Sequence, residues 1–161
     1  MKKLIIGLIA AGFLSGCAST PPNLTEDLFQ YKDSYVGDSG AVGNITRTLT
    51  KPDAEQLDGL ELKTTEEPYG IQLNYAPLEI NEGSVTDYEE LSLYNAGIIL
   101  ALIDNADWVQ FKYVEEDIKI TRDELEKWYG KELRKFENEE ELRTFLQEHL
   151  ADEEKVSKFF E

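Results

Sequence analysis

Gly97-Ile98-Ile99-Leu100-Ala101-Leu102-Ile103 is apolar on every side of a helical projection, and its reading decides the fold. A helix without a polar stripe has to be covered all round. The stretch, entered from a start near Asp87, therefore predicts a buried central helix. Crossing a bilayer takes about twenty apolar residues, so this run is core and not a span. Gly97 and Ala101 stand four positions apart and leave one side smooth enough for a second backbone to come close. Asn105 is placed to stop the helix in the left-handed conformation.

Alternation on either side of that helix predicts strands. Leu60 and Leu62 alternate with Glu61 and Lys63; Ile71, Leu73 and Tyr75 with Gln72 and Asn74; Val109, Phe111 and Tyr113 with Gln110 and Lys112. Each run offers one apolar face. The turn over 65–70 joins the first two, and Glu115-Glu116-Asp117 turns the third into a short fourth around Ile118 and Ile120. Three helix starts carry a capping residue followed three positions on by glutamate: Thr86 with Glu89, Thr121 with Glu124, and Asn138 with Glu141. Ile120 and Leu125 add a hydrophobic staple to the second. Leu142, Phe145, Leu146, His149 and Leu150 form one stripe on the last long helix, and the end beyond Ala151 is either a further helical turn or a frayed tail. With one or two short helices between Leu24 and Leu49, the fold class is α+β, a small, largely antiparallel sheet packed on a buried central helix with C-terminal helices. Residues 25–161 make a single domain.

The amino terminus gives the location. Met1-Lys2-Lys3, an apolar run from Leu4 to Leu14, and Leu14-Ser15-Gly16-Cys17 read as a bacterial lipoprotein signal peptide over residues 1–16. Cys17, the chain's only cysteine, becomes the lipidated, palmitate-bearing amino terminus, and residues 17–24 form a small, polar, proline-stiffened tether. Two acyl chains at about 0.8 kcal/mol per buried methylene anchor durably where one does not. The expected localisation is the outer face of the cytoplasmic membrane, with the membrane itself a partner through the lipid at Cys17.

The chain carries 33 acidic against 16 basic side chains, a formal charge of −17, which loss of Lys2 and Lys3 with the leader takes to −19. Nucleic acid is excluded as a partner, because phosphate binding requires a basic stripe. A single cysteine also excludes a disulfide framework and thiolate zinc.

A search for chemistry is sparing. His149, the only histidine, lies on a core stripe and reads as structural. No serine precedes a lysine by three positions, and neither G-x-S-x-G nor H-E-x-x-H occurs. The carboxylate runs at 115–117, 139–141 and 152–154 fit solvated charge better than calcium ligation or a glycosidase pair. Catalytic and metal residues are therefore set at none, with no cofactor. Candidate binding residues come from the aperiodic, glycine-containing stretch over 31–44, read as an exposed loop ahead of a short helix, which supplies Tyr35, Asp38 and Asn44. Tyr69 in the Pro68-Tyr69-Gly70 turn and Trp108 are added, whereas Trp128 and Tyr129 fall on a core stripe.

Four stretches carry a likeness to a known family: Tyr35-Val36-Gly37-Asp38 to Val42-Gly43-Asn44-Ile45, Tyr69 to Tyr75, Asn95-Ala96-Gly97 to Asn105, and Ile120-Thr121-Arg122-Asp123 to Trp128-Tyr129-Gly130. They resemble an uncharacterised extracytoplasmic domain of low-GC Gram-positive lipoproteins, also found at the outer end of membrane metallopeptidases similar to the beta-lactam-sensing antirepressor proteases. The resemblance implies a non-enzymatic sensing or partner-binding module at the cell envelope. Its partner is an unknown protein, peptide or cell-wall component. The rival expectations are a carboxylate-dependent hydrolase of envelope glycan or peptidoglycan, and an envelope assembly or stress component without a small ligand.

Overall fold

The computed structural model describes residues 27–79 and 86–161. The leader, Cys17 and the tether lie outside the described residues. After a single 3-10 turn at Leu28–Tyr31 come α1 (Ser39–Thr48), β1 (Glu55–Lys63), β2 (Gly70–Pro77), α2 (Tyr88–Leu102), β3 (Trp108–Lys112) and β4 (Asp117–Thr121). A further 3-10 turn at Leu133–Lys135 separates α3 (Arg122–Tyr129) from α4 (Glu139–Leu150) and α5 (Glu153–Phe159). The class is the α+β one expected, with the central helix buried as its sequence required.

The four strands lie in chain order. β1 and β2 pair antiparallel with Leu60 facing Leu73, and β3 and β4 antiparallel with Val109 facing Ile120. β2 and β3 pair in parallel, Ile71 facing Val109. The expectation of a largely antiparallel sheet thus holds at both flanks. Its centre is parallel because α2 intervenes there, and a strand that returns through a helix runs in the same direction as the one it left.

α2 forms the middle layer. Residues from Ser92 and Leu93 to Leu102 are buried on all sides apart from Tyr94, with β3 and β4 on one flank and α4 on the other. A Cβ added at Gly97 would stand 2.6 Å from a Leu146 methyl, so the smooth flank of the helix is where α4 sits close. The expected left-handed stop at Asn105 is not formed: α2 runs into extended backbone at Ile103, and the Asn105 side chain instead accepts the Val36 N–H at 2.7 Å. What ends the helix is Arg122. Its guanidinium donates to the carbonyls of Leu100 (2.8 Å), Ile103 (2.9 Å) and Ala106 (2.9 Å); of these, Ile103 has otherwise only a long bond from the Ala106 N–H (3.4 Å). Glu126 stands 3.4 Å from it and holds the Leu133 N–H as well. Burial lowers the Arg122 pKa and Glu126 pulls it back up.

Thr121 closes the full capping box with Glu124, and Asn138 accepts the Glu141 N–H at 2.8 Å. The first start is displaced by one residue. Asp87 and not Thr86 caps α2, accepting from Glu90, while the Thr86 hydroxyl takes the Asp53 N–H. A second correction concerns the stretch over 31–44, whose loop ends at Asp38. Ala41, Val42, Ile45 and Thr46 are buried along one side of α1, and that burial outweighs the roughly 1 kcal/mol that each of Gly40 and Gly43 costs a helix. The end beyond Ala151 is α5, with Val156 buried and the Phe159 ring edge-on to Trp128 at 5.8 Å.

Candidate functional site

The sheet has a covered face and an open one. Ile71, Leu73, Val109, Phe111, Ile118 and Ile120 point to the helices and are buried. Strand alternation sends their neighbours the other way, and the strand register arranges these in three rows. Lys63, Gly70, Trp108 and Thr121 make the first; Glu61, Gln72, Gln110 and Lys119 the second; Gly59, Asn74, Lys112 and Asp117 the third.

Trp108 dominates the first row. Its ring covers the Cα of Gly70 so closely that a Cβ there would meet indole carbons at 2.0 to 2.5 Å, which is why a glycine stands opposite it. Its indole Nε1–H donates to the Pro68 carbonyl at 3.0 Å, fixing the ring against the 65–70 turn. The backbone around it is pinned in turn. Tyr69 N–H donates to the Asp107 carboxylate and Asp107 N–H to the Tyr69 carbonyl, both at 2.8 Å, while the Asp107 carbonyl accepts from Arg122 N–H at 2.7 Å.

The second row is ordered by its own hydrogen bonds. Gln72 Nε2 donates to Glu61 (2.7 Å) and to Asn74 Oδ1 (2.8 Å), and Asn74 Nδ2 donates to Glu61 (3.2 Å). The bond from Lys63, then that from Asn74, lower the Glu61 pKa. Lys119 lies over the Trp108 ring, 4.1 Å from its centroid. A groove of about 700 Å³ runs across this face between Lys119 and the turn residues Glu66, Glu67 and Pro68.

The sequence-chosen candidates divide between two places. Trp108 lines this groove, whereas the Tyr69 side chain does not: it packs, partly buried, against the core, and its backbone bonds to Asp107. Tyr35 is 57% exposed beyond the end of α2, but Asp38 spends its carboxylate on the Ala41 N–H as the α1 cap, and Asn44 accepts from Arg47 one turn later. Gln72, Gln110 and Lys119 were not chosen from the sequence. The signal was there in the polar half of each alternating strand, which becomes a surface only once the strand order is known.

Elsewhere the polar groups have structural work. His149 is half-buried, with Nδ1 2.9 Å from the Phe145 carbonyl and its ring packed on Phe145. Glu55, 4% exposed, accepts from Tyr88 Oη at 2.5 Å and from Val114 N–H at 3.1 Å. A second groove, of about 670 Å³, lies between the start of α2 and the end of α4 beside Lys51, Glu90, Leu91, Tyr94 and Leu150. Among the described residues no group of His, Cys, Asp and Glu is placed to hold a metal ion, and no helix is long and apolar enough to cross a membrane.

Comparison with known proteins places this architecture. No solved structure matches it. A curated relative, the outer membrane protein assembly factor BamC homolog of Haemophilus influenzae, is 32% identical over 127 residues, 76% of this chain. The chain spans 59% of that protein's length. Residues 28–123 match the model of a domain of unknown function, DUF4825. That match runs through α2 and all four strands, more than half of the chain, and the chain therefore belongs to the DUF4825 family.

Proposed function

We propose that this chain is a non-enzymatic domain of the cell envelope, lipid-anchored through Cys17 at the outer face of the cytoplasmic membrane, that binds a partner on the open face of its sheet. The observation carrying this reading is Trp108, a large aromatic held flat on the solvent side of a sheet by Gly70 and Pro68 with no apolar core to fill there. Aromatic residues with pre-ordered polar neighbours are what binding surfaces enrich. Partner-binding is also in keeping with the printed name of the Haemophilus relative, an assembly factor. The buried carboxylate Glu55 is occupied on both oxygens, which argues against its use as a catalytic acid or base.

The geometry of attachment suits the reading. The Leu28 N–H is held by Glu139 at 2.6 Å, so the chain enters beside α4, on the far side of α2 from the sheet. The ten Cα-to-Cα steps from Cys17 to Asp27 reach at most about 35 Å. A domain anchored there keeps its sheet face clear of the tether.

Two measurements test the proposal. Palmitate label is expected on the native chain and absent from Cys17→Ala; label retained by that variant overturns the anchor. A photoreactive side chain at Gln110, in cells carrying the full chain, is expected to give a discrete adduct that Trp108→Ala abolishes and Tyr35→Ala leaves intact. An adduct indifferent to Trp108 overturns the surface.

A further inference from the structure

We infer that the open sheet face takes a saccharide bearing a free carboxylate, with cell-wall glycan from which the stem peptides have been removed as its source. This rests on the partner-binding reading above and gives that surface a ligand class.

Three features of the face point the same way. The first is shape. One side of the Trp108 ring is sealed against Gly70 and its N–H is already bonded to Pro68, so what a ligand can reach, by displacing Lys119 from it, is the other face, a flat, electron-rich aromatic surface. The C–H face of a pyranose ring is the envelope chemistry that matches such a surface, since its weakly positive hydrogens lie in one plane. The second is the adjoining row of polar side chains, Glu61, Gln72, Gln110 and Lys119, one from each strand and so about 4.8 Å apart. Acceptors and donors at that interval suit the hydroxyls and acetamido groups around a sugar ring. Gln72 is already oriented by Glu61 and Asn74, which reduces the entropy lost on binding. The amide of Gln110, half-exposed beside it, makes no hydrogen bond among the described residues and is open to a ligand.

The third feature is charge. In a chain of formal charge −17, the cations of this face are unequally placed. Lys63 is paired with Glu61 and Lys112 with Asp117, but among the described residues no carboxylate is within ion-pair reach of Lys119. Its ammonium rests on the one aromatic surface a sugar would need. A neutral sugar has to displace that cation and gives it nothing in return. A sugar with a carboxylate displaces it and supplies an ion-pair partner. Glu66 and Glu67 on the opposite rim repel the same carboxylate, so the strand lies with its acidic group toward β4. The groove, about 700 Å³, falls in the range of roughly 300–1,000 Å³ usual for small-ligand sites. An acidic peptide would satisfy Lys119 but leaves the flat indole surface without a matching group.

The test uses the full chain in detergent micelles, titrated calorimetrically with the disaccharide of N-acetylglucosamine and N-acetylmuramic acid, and with di-N-acetylchitobiose, which lacks the carboxylate. The acidic disaccharide is expected to bind about fivefold more tightly, the scale of one exposed ion pair. Lys119→Gln, at an exposed position that leaves folding intact, is expected to remove that preference, and high salt to do the same in the unaltered chain. Trp108→Phe should weaken both sugars, and Tyr35→Ala neither. Equal affinity for the two sugars, a preference that survives Lys119→Gln, or tighter binding of a short polyglutamate peptide overturns the inference. If no sugar binds while the Gln110 adduct still depends on Trp108, the ligand class falls and the partner-binding surface stands; if the adduct too is indifferent to Trp108, the surface itself falls.

Discussion

Lys119 and Arg122 stand three residues apart where β4 runs into α3, and they are used in opposite ways. Lys119 is exposed over an indole ring with no carboxylate partner among the described residues, whereas Arg122 is 8% exposed and donates to three backbone carbonyls at the end of α2. The difference follows the side of the sheet each residue belongs to. On the covered side a charged group has to be satisfied by the protein, because water cannot reach it; only neutral atoms, Asn95 Oδ1 and Tyr129 Oη among the described residues, are left there without a partner. On the open side water satisfies everything, and a cation left unpaired there is free to meet something else. The guanidinium also suits its place chemically: a rigid, planar fork reaches several carbonyls at once, which a single ammonium cannot do.

The sharpest way to break this contrast is to remove the buried member. Arg122→Ala leaves the Leu100 and Ala106 carbonyls without the guanidinium, the Ile103 carbonyl with only the long bond from the Ala106 N–H (3.4 Å) and Glu126 without its cation, and is expected to cost about 3–5 kcal/mol. Arg122→Lys is expected to recover less than half of that. Chemical denaturation of the two variants and the native chain checks both numbers, and a loss below about 1 kcal/mol would show that other groups or water close α2 equally well.

The covered side has a second signature, in alkali. Tyr88 is raised to about 12, chiefly by its hydrogen bond to Glu55, and Tyr75 to about 12, chiefly by burial. Burial pushes Tyr113 and Tyr129 up as well. These phenols ionise later in the folded chain than in the unfolded one, where the value is about 10. Their contribution to stability is thus complete below about pH 10 and is lost as pH rises toward 12. Denaturation at pH 8 and at pH 11.5 is expected to show a steep loss of stability. In Tyr88→Phe the loss over that interval should be smaller, although the variant starts lower because Glu55 has lost its donor. A fall of the same size in Tyr88→Phe would remove the Glu55–Tyr88 pair from the account.

How much of this could be read beforehand depends on the range of the interaction. The apolar run from Gly97 to Ile103 had only one place to go, and Thr121 with Glu124 is a local signal that the structure repeats atom for atom. A short helix before Leu49 was expected, but its start at Ser39 was hidden because Gly40 and Gly43 argue against it locally, and the burial of Val42 and Ile45 that overrides them comes from distant parts of the chain. Arg122 was unreadable for the same reason, since its acceptors lie 16 to 22 positions upstream. Trp108 and Tyr69 were picked from the sequence as separate candidates, and Gly70, Gln110 and Lys119 join Trp108 only through the register of β2, β3 and β4. The parallel centre of that register came from α2.

The exposed member of the pair supplies the smallest expected effect and the most discriminating one. Lys119→Ala removes a cation over an aromatic ring at the surface, a contact of about 0.5–1 kcal/mol that solvation of the freed indole partly offsets. Thermal melts of Lys119→Ala and the native chain are therefore expected to agree within about 0.5 kcal/mol, while Arg122→Ala in the same series melts far lower. A near-neutral result places Lys119 outside the forces that hold the fold and leaves ligand binding as the property it can affect. A loss as large as that of Arg122→Ala would mean that Lys119 and Trp108 brace the sheet, and the open face would then be architecture and no longer a surface in need of a partner.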